Sequence, residues 1–443
     1  MSYTAAIDQL NAMAPELYTR PGQARRKFSL DEVRILLSAL GDPHRRLRSV
    51  LIAGTNGKGS TAATLASILT AAGVRTGLYT SPHLARVNER IRIGEVEISD
   101  DAFAGLYFRV HDVAEKLFQD ARLPQPPSFF EILTAQALVY FAEQQVELAV
   151  LEVGMGGRLD ATNVVDPLLS VITDISLDHT EWLGSTIAAI AREKAGILRH
   201  GGTLIMLSQH PEANQVLGEA AAELDVRGVN AAVYMPPMKT DTGAAYSVEA
   251  LGATVEIASP LTGAHQQRNI ALAIAAAVEL ASAHNFTITP EAIVAGIRQT
   301  RWPGRLERIK AGSVEWILDV AHNPAGAWAL RSGLSGILSE DRPRRLIFSC
   351  LRDKPLSEMA QILFPLFDEV IFAPIHSARA ASMEDLNAAA SSTGSAAISA
   401  GSVREALQLA AARGDGGVVV ISGSVYLVGE ARSLLLAKSE GVE

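Results

Sequence analysis

The run Ala53-Gly54-Thr55-Asn56-Gly57-Lys58-Gly59-Ser60 sets three glycines around a lysine, between the apolar residues Val50-Leu51-Ile52-Ala53 and an alanine-rich helical stretch from about Ser60 to Ala72. A glycine loop that leaves a strand and opens a helix turns its backbone N–H groups toward one point, and the helix N-terminus adds partial positive charge. Phosphate oxygens fit that point, with Lys58 reaching the terminal phosphates. The strict P-loop spacing is not met, because Ile52 stands where the first glycine belongs and Gly59 where Ser or Thr would follow the lysine. The plainer alternative is a glycine turn with no ligand; the strand–turn–helix context favours phosphate.

A nucleoside triphosphate arrives with Mg²⁺, which takes hard oxygen ligands and keeps several waters. Glu152 ends the apolar run Leu148–Val153, directly before Gly154-Met155-Gly156-Gly157, where a carboxylate at a strand's carboxyl end can face phosphates. Asp178-His179 follows another apolar run in the same way. Read alone, Glu152 at a strand's carboxyl end favours a functional role over a surface or capping one, whereas a lone His179 reads more readily as a packed or surface histidine than as a ligand. Ser81 and Lys194 are by themselves uninformative.

These residues need a scaffold. Short branched runs (Val50–Ala53, Leu148–Val153, Leu169–Thr173, Thr203–Leu207) alternate with helical stretches such as Phe129–Gln145, which implies parallel pairing through helical crossovers. Residues 244–259 instead alternate apolar and polar side chains around Gly252, the pattern of an antiparallel hairpin. A second alternation (Trp316–Val320, Leu346–Ser349, Val370–Ala373, Val418–Ser422) begins after Arg301-Trp302-Pro303-Gly304. The expectation is two α/β domains, 1–300 and 301–443, with ligands at the carboxyl ends of the strands and in the cleft between domains.

Composition narrows the function. Of 443 residues, 48% are hydrophobic and 20% charged, enough for buried cores and unlike a disordered chain. A net charge of −9 argues against nucleic acid as the main partner. A single cysteine, Cys350 in an apolar run, forms no internal disulfide and points to a reducing compartment. No stretch approaches the ~18 uninterrupted apolar residues of a membrane span. Residues 1–13 lack the basic and apolar regions of a secretory signal, so a cytoplasmic protein is expected.

Taken in order, the motifs form a larger pattern: Gly54–Ser60; Thr80-Ser81-Pro82-His83-Leu84; Val87-Asn88-Glu89-Arg90-Ile91; Leu151–Asn163; Asp178-His179-Thr180; Glu193-Lys194-Ala195-Gly196; Gly263–Asn269; Trp302-Pro303-Gly304-Arg305-Leu306-Glu307; and Leu318-Asp319-Val320-Ala321-His322-Asn323-Pro324. The chain resembles the folylpolyglutamate synthase/dihydrofolate synthase family, a branch of the Mur ligases, over nearly its whole length. The resemblance implies a P-loop ATPase domain with a mostly parallel sheet and a small antiparallel sheet, followed by a smaller Rossmann-like α/β domain. It implies an ATP-dependent ligase that joins an acid to the amine of L-glutamate through an acyl phosphate.

The resemblance also assigns residues. Gly54, Thr55, Asn56, Gly57, Lys58, Gly59 and Ser60 hold the triphosphate. Ser81 and Glu152 match ligands of one Mg²⁺ and His179 a ligand of a second, while Lys194 matches a lysine carbamylated by CO₂. His265 and Asn269 match positions beside adenine, and Arg305 a phosphate-contacting arginine. Asp319 and His322 reach the ribose and γ-phosphate from the second domain. Similarity around Gly157–Asn163 and Asp178–Gly184 favours the bifunctional type, which couples dihydropteroate as well as folyl-glutamates to glutamate. Asp160 would then bind pterin nitrogens, Phe130 would pack on the pterin or aminobenzoyl rings, and Arg379 is the candidate for the incoming glutamate. For Phe129 and Phe130, core packing at a helix start is an equal alternative. The rivals are a folylpolyglutamate synthase without the first activity and a nucleotide-switched binding protein. A monomer with no membrane partner is expected.

Overall fold

The computed structural model describes residues 2–13, 29–237, 245–339, 341–412 and 416–439. The first sheet is built on β1 (Ser49–Ala53), whose five residues are all buried. It joins β2 (Thr76–Tyr79), β3 (Ile91–Ile93), β4 (Val96–Glu97), β5 (Leu148–Glu152), β6 (Leu169–Ile172), β7 (Thr203–Met206) and β8 (Arg227–Asn230) in the order β4-β3-β2-β5-β1-β6-β7-β8. β1 pairs in parallel with both β5 and β6, while the β2–β3 and β3–β4 pairs are antiparallel. The continuous burial of β1 and β5 matches strands covered by helices on both faces.

β9 (Tyr246–Ala250) and β10 (Ala253–Ile257) form the expected hairpin. Its turn residues Leu251 and Gly252 both have positive φ, 52° and 77°, the geometry that matches the twist of paired strands. The second sheet runs β11 (Glu307–Ala311), β12 (Val314–Leu318), β16 (Val418–Ser422), β13 (Arg344–Phe348), β14 (Glu369–Phe372) and β15 (Ala397–Ser399), parallel except for β11–β12.

The helix Lys58–Ala71 is buried on nearly every side. It packs against helices Ala264–Ala283 and Pro290–Gln299, and a Cβ at Gly296 would lie 2.3 Å from the Ile68 Cα, so only glycine permits that approach. Residues 270–277 of helix Ala264–Ala283 are all buried. No helix among the described residues is long and apolar enough to cross a membrane. β2, β3, β4, β8, β11 and β15 were not expected from sequence. β8 and β4 are short edge strands with mostly exposed residues, and β2 carries a glycine that lies against the Phe141 ring.

Candidate functional site

The carboxyl ends of the strands in the two sheets face each other across a cavity of about 340 Å³. Gly54–Ser60, Ser81, Glu152, His179, Lys194, His265, Asn269, Arg305, Asp319 and His322 all line it. Phe130, Asp160 and Arg379 do not.

The loop after β1 is held by tight fits. A Cβ on Gly54 would collide with the Thr173 side chain, and one on Gly57 (φ 88°) with Asn269 Oδ1. The N–H groups of Thr55 and Asn56 both donate to the Asp174 carbonyl (2.9 and 3.2 Å), so they are committed to the protein. The amides at the start of helix Lys58–Ala71 lack intrahelical partners by geometry, so the N–H groups of the loop that remain available to a ligand are those of residues 57–60. Lys58 Nζ donates to the Thr55 carbonyl at 3.1 Å.

Two distant motifs interlock to place Lys194. The Arg158 N–H donates to the Glu193 carbonyl (2.8 Å), Asn163 Nδ2 donates to the Gly196 carbonyl (3.0 Å), and Gly157 and Gly196 leave no room for a Cβ. Lys194, at the end of helix Ile187–Ala195, is buried and donates to the Gly54 carbonyl at 2.7 Å. Burial, helped by the charge of Lys58, pulls its pKa down to about 7.

Glu152 is buried at the end of β5 and accepts from the Ser81 N–H at 3.0 Å. Burial pushes its carboxyl above the usual range, against the pull of Lys58, Arg305 and Arg90. His179 has φ 49°, and burial takes its pKa down to about 4, which keeps the ring neutral and able to ligate a metal near neutrality. No group of three or more His, Cys, Asp or Glu side chains among the described residues is arranged to hold a metal. Mg²⁺ does not require one, since it binds through one or two protein oxygens together with phosphates and water.

Asp178 went unassigned in the sequence and joins the two domains here. It accepts from Lys354 Nζ (2.6 Å) and Asn323 Nδ2 (3.1 Å), and His322 Nε2 lies 3.6 Å away. Burial opposes its charge, but His322, His179 and Lys354 together hold its carboxyl well below the usual range. Asn323 Nδ2 also donates to Asn56 Oδ1 at 3.0 Å, tying the second domain to the glycine loop. The Asn323-Pro324 pair, a helix cap followed by proline, was the available signal for Asn323. Lys354 carried none.

Several expected residues sit otherwise. Asp160 lies outside the cavity and is buried. Its oxygens accept from the Met155 N–H, the Thr162 N–H and Thr162 Oγ1. These bonds fasten the 154–163 loop. Phe130 is a core side chain whose Cζ would lie 2.6 Å from a Cβ on Gly154, while Phe129 is half-buried with the Arg90 guanidinium 5.1 Å from its ring centre. Arg379 pairs with Asp353 at 2.6 Å. Asp319 reaches the cavity, but its oxygens accept from the Leu306 and Ala321 N–H groups, both at 2.9 Å.

Comparison with known proteins agrees with this architecture. Residues 52–277 match the Mur ligase middle domain and residues 304–425 the Mur ligase glutamate ligase domain. The chain is 34% identical to the folylpolyglutamate synthase of Lacticaseibacillus casei, over 98% of this chain and 99% of that one. It is 35% identical to the dihydrofolate synthase/folylpolyglutamate synthase of Bacillus subtilis, over 92% and 95%. The solved structure of Mycobacterium tuberculosis folylpolyglutamate synthase complexed with ADP and AMPPCP superimposes with a TM-score of 0.87 at 33% identity, covering 98% of this chain and 99% of that one. The chain belongs to the folylpolyglutamate synthase/dihydrofolate synthase family of Mur ligases.

Proposed function

We propose that the chain is a bifunctional ligase that uses ATP to couple dihydropteroate, and folates already carrying glutamate, to L-glutamate. The observation that carries this reading is one cavity in which the glycine loop, Lys58, Glu152, His179 and Lys194 of the first domain meet Arg305 and His322 of the second. The kinship with synthases that carry both names supports bifunctionality. In this reading residues 1–300 bind ATP and the pterin-bearing acid, and residues 301–443 complete the nucleotide site and receive glutamate. The chain works as a monomer in the cytoplasm.

The acid's carboxylate attacks the γ-phosphorus, giving an acyl phosphate and ADP. The glutamate amine then attacks the acyl carbon, and phosphate leaves as the amide forms. The amides of residues 57–60, Lys58 and Arg305 hold phosphate oxygens as negative charge shifts among them. His265 and Asn269 flank adenine, and Asp319 and His322 contribute from the second domain. Ser81 and Glu152 would hold one Mg²⁺ and His179 a second, and the ions would supply charge neutralisation on the phosphates. Lys194, with its pKa near 7, is in part a neutral amine, which CO₂ could convert to a carbamate with release of one proton, leaving an anion where an ammonium otherwise stands. Phe129, half-open beside Arg90, is the better placed of the two phenylalanines to meet an aromatic substrate. Closure of the domains keeps water from the acyl phosphate.

The test is an assay of purified protein with ATP, Mg²⁺, glutamate and dihydropteroate, repeated with a reduced folyl-monoglutamate. Amide from both acids supports the bifunctional reading, and amide from the folate alone identifies the single-activity enzyme.

A further inference from the structure

The segment joining the two domains touches the nucleotide loop at Gly59. A Cβ on Gly59, the residue after Lys58, would lie 2.8 Å from Trp302 Cζ2 and 3.2 Å from both Cε2 and Nε1. The indole thus rests edge-on against the first turn of the phosphate-binding helix. The Arg92 guanidinium, on β3 of the first sheet, lies 5.9 Å from the ring centre. Two residues on, Gly304 (φ 69°) turns the chain; its N–H donates to Glu307 Oε2 at 2.8 Å, and Glu307 pairs with Arg432 of the second domain. Arg305 then enters the nucleotide cavity. The Trp302 Nε1–H is buried without a hydrogen-bond partner among the described residues.

We propose that Trp302 is a positioning residue that couples the nucleotide loop to the interdomain segment, and that Gly59 replaces the Ser or Thr of the strict P-loop because the indole occupies the space of a side chain there. The proposal rests on the ligase reading for its consequence. When the loop closes on phosphates, Trp302 carries the 302–305 segment, and with it Arg305 and the second domain, into the arrangement that shields the acyl phosphate. In a chain without the indole at this position, water attacks the acyl phosphate. The acid and phosphate are released, no amide forms, and the net reaction is ATP plus water to ADP and phosphate.

The test uses the full chain and four variants: Gly59→Ala, Trp302→Leu, the double variant, and Trp302→Phe. ADP affinity is measured by titration calorimetry, and ADP released per amide formed is measured in the full reaction, with melting curves to confirm folding. Gly59→Ala should weaken ADP by about tenfold through overpacking, and adding Trp302→Leu should restore affinity to within about threefold of Trp302→Leu alone. Trp302→Leu should release about two or more ADP per amide while Trp302→Phe stays near one. Additive losses in the double variant, or wild-type coupling in Trp302→Leu, overturn the proposal. Should Gly59→Ala fail to fold, the contrast between Trp302→Leu and Trp302→Phe decides. Should the wild type make no amide from any folate acid, the ligase reading fails, while the ADP titrations still decide whether Trp302 and Gly59 act together.

Discussion

Lys354 Nζ lies 2.6 Å from Asp178 Oδ1, with the two side chains 5% and 8% exposed. Lys354 follows β13 in the second sheet and Asp178 follows β6 in the first, so the pair is a buried ion pair across the domain interface. Breaking one side of such a pair leaves an uncompensated buried charge, at a cost of about 3–5 kcal/mol. Lys354→Met should therefore lower activity by roughly tenfold or more and favour the open arrangement of the domains. Asp178→Asn combined with Lys354→Met should cost less than the sum of the single changes. Activity assays and small-angle scattering on the three variants check this; additive effects would mean that the pair does not act as a unit.

Lys194→Ala should lose most activity, and acetate should restore part of it by standing where the carbamate oxygens would be. Steady-state rates with and without acetate give the answer, and a fully active alanine variant would remove the role assigned to Lys194.

The depressed pKa of Lys194 has a consequence for stability. Its folded value, about 7, lies below the ordinary lysine value of 10.5. Between those values the unfolded chain binds more protons than the folded one, so this residue's contribution to stability rises with pH across the window; below about 7 the penalty of the buried ammonium is fully present. In CO₂-free buffer, the Tm of wild type relative to Lys194→Met should rise from about pH 6 to about pH 9. A difference in Tm that is flat with pH would show that the lysine is not held near neutrality.

Asp160 fastens its loop through main-chain donors, so Asp160→Ala should strand buried N–H groups at about 1–3 kcal/mol and lower the Tm. It should also raise KM for the pterin-bearing acid more than KM for ATP. Unchanged Tm with a raised KM would instead indicate a direct contact with substrate.

Much of this site could be read from residue types alone. The strand–glycine–helix order pointed to Lys58 and a strand end to Glu152, because local chain geometry fixes where such residues face, whereas His179 and Lys194 stood out only through the family resemblance. The interlock of Gly157 with Glu193, the indole on Gly59 and the pairing of Asp178 with Lys354 arise between segments far apart in sequence, and no local pattern encodes them. Asp160 and Phe130 show the opposite limit. A carboxylate in a glycine-rich loop and an aromatic at a helix start look the same whether they meet a ligand or hold the fold.

The most direct measurement is product analysis of the purified chain with ATP, Mg²⁺, L-glutamate and dihydropteroate. One ADP and one phosphate are expected for each dihydrofolate formed, with no turnover when either the acid or glutamate is omitted. ADP release that is indifferent to glutamate, with no amide from dihydropteroate or any reduced folate, would contradict the ligase reading.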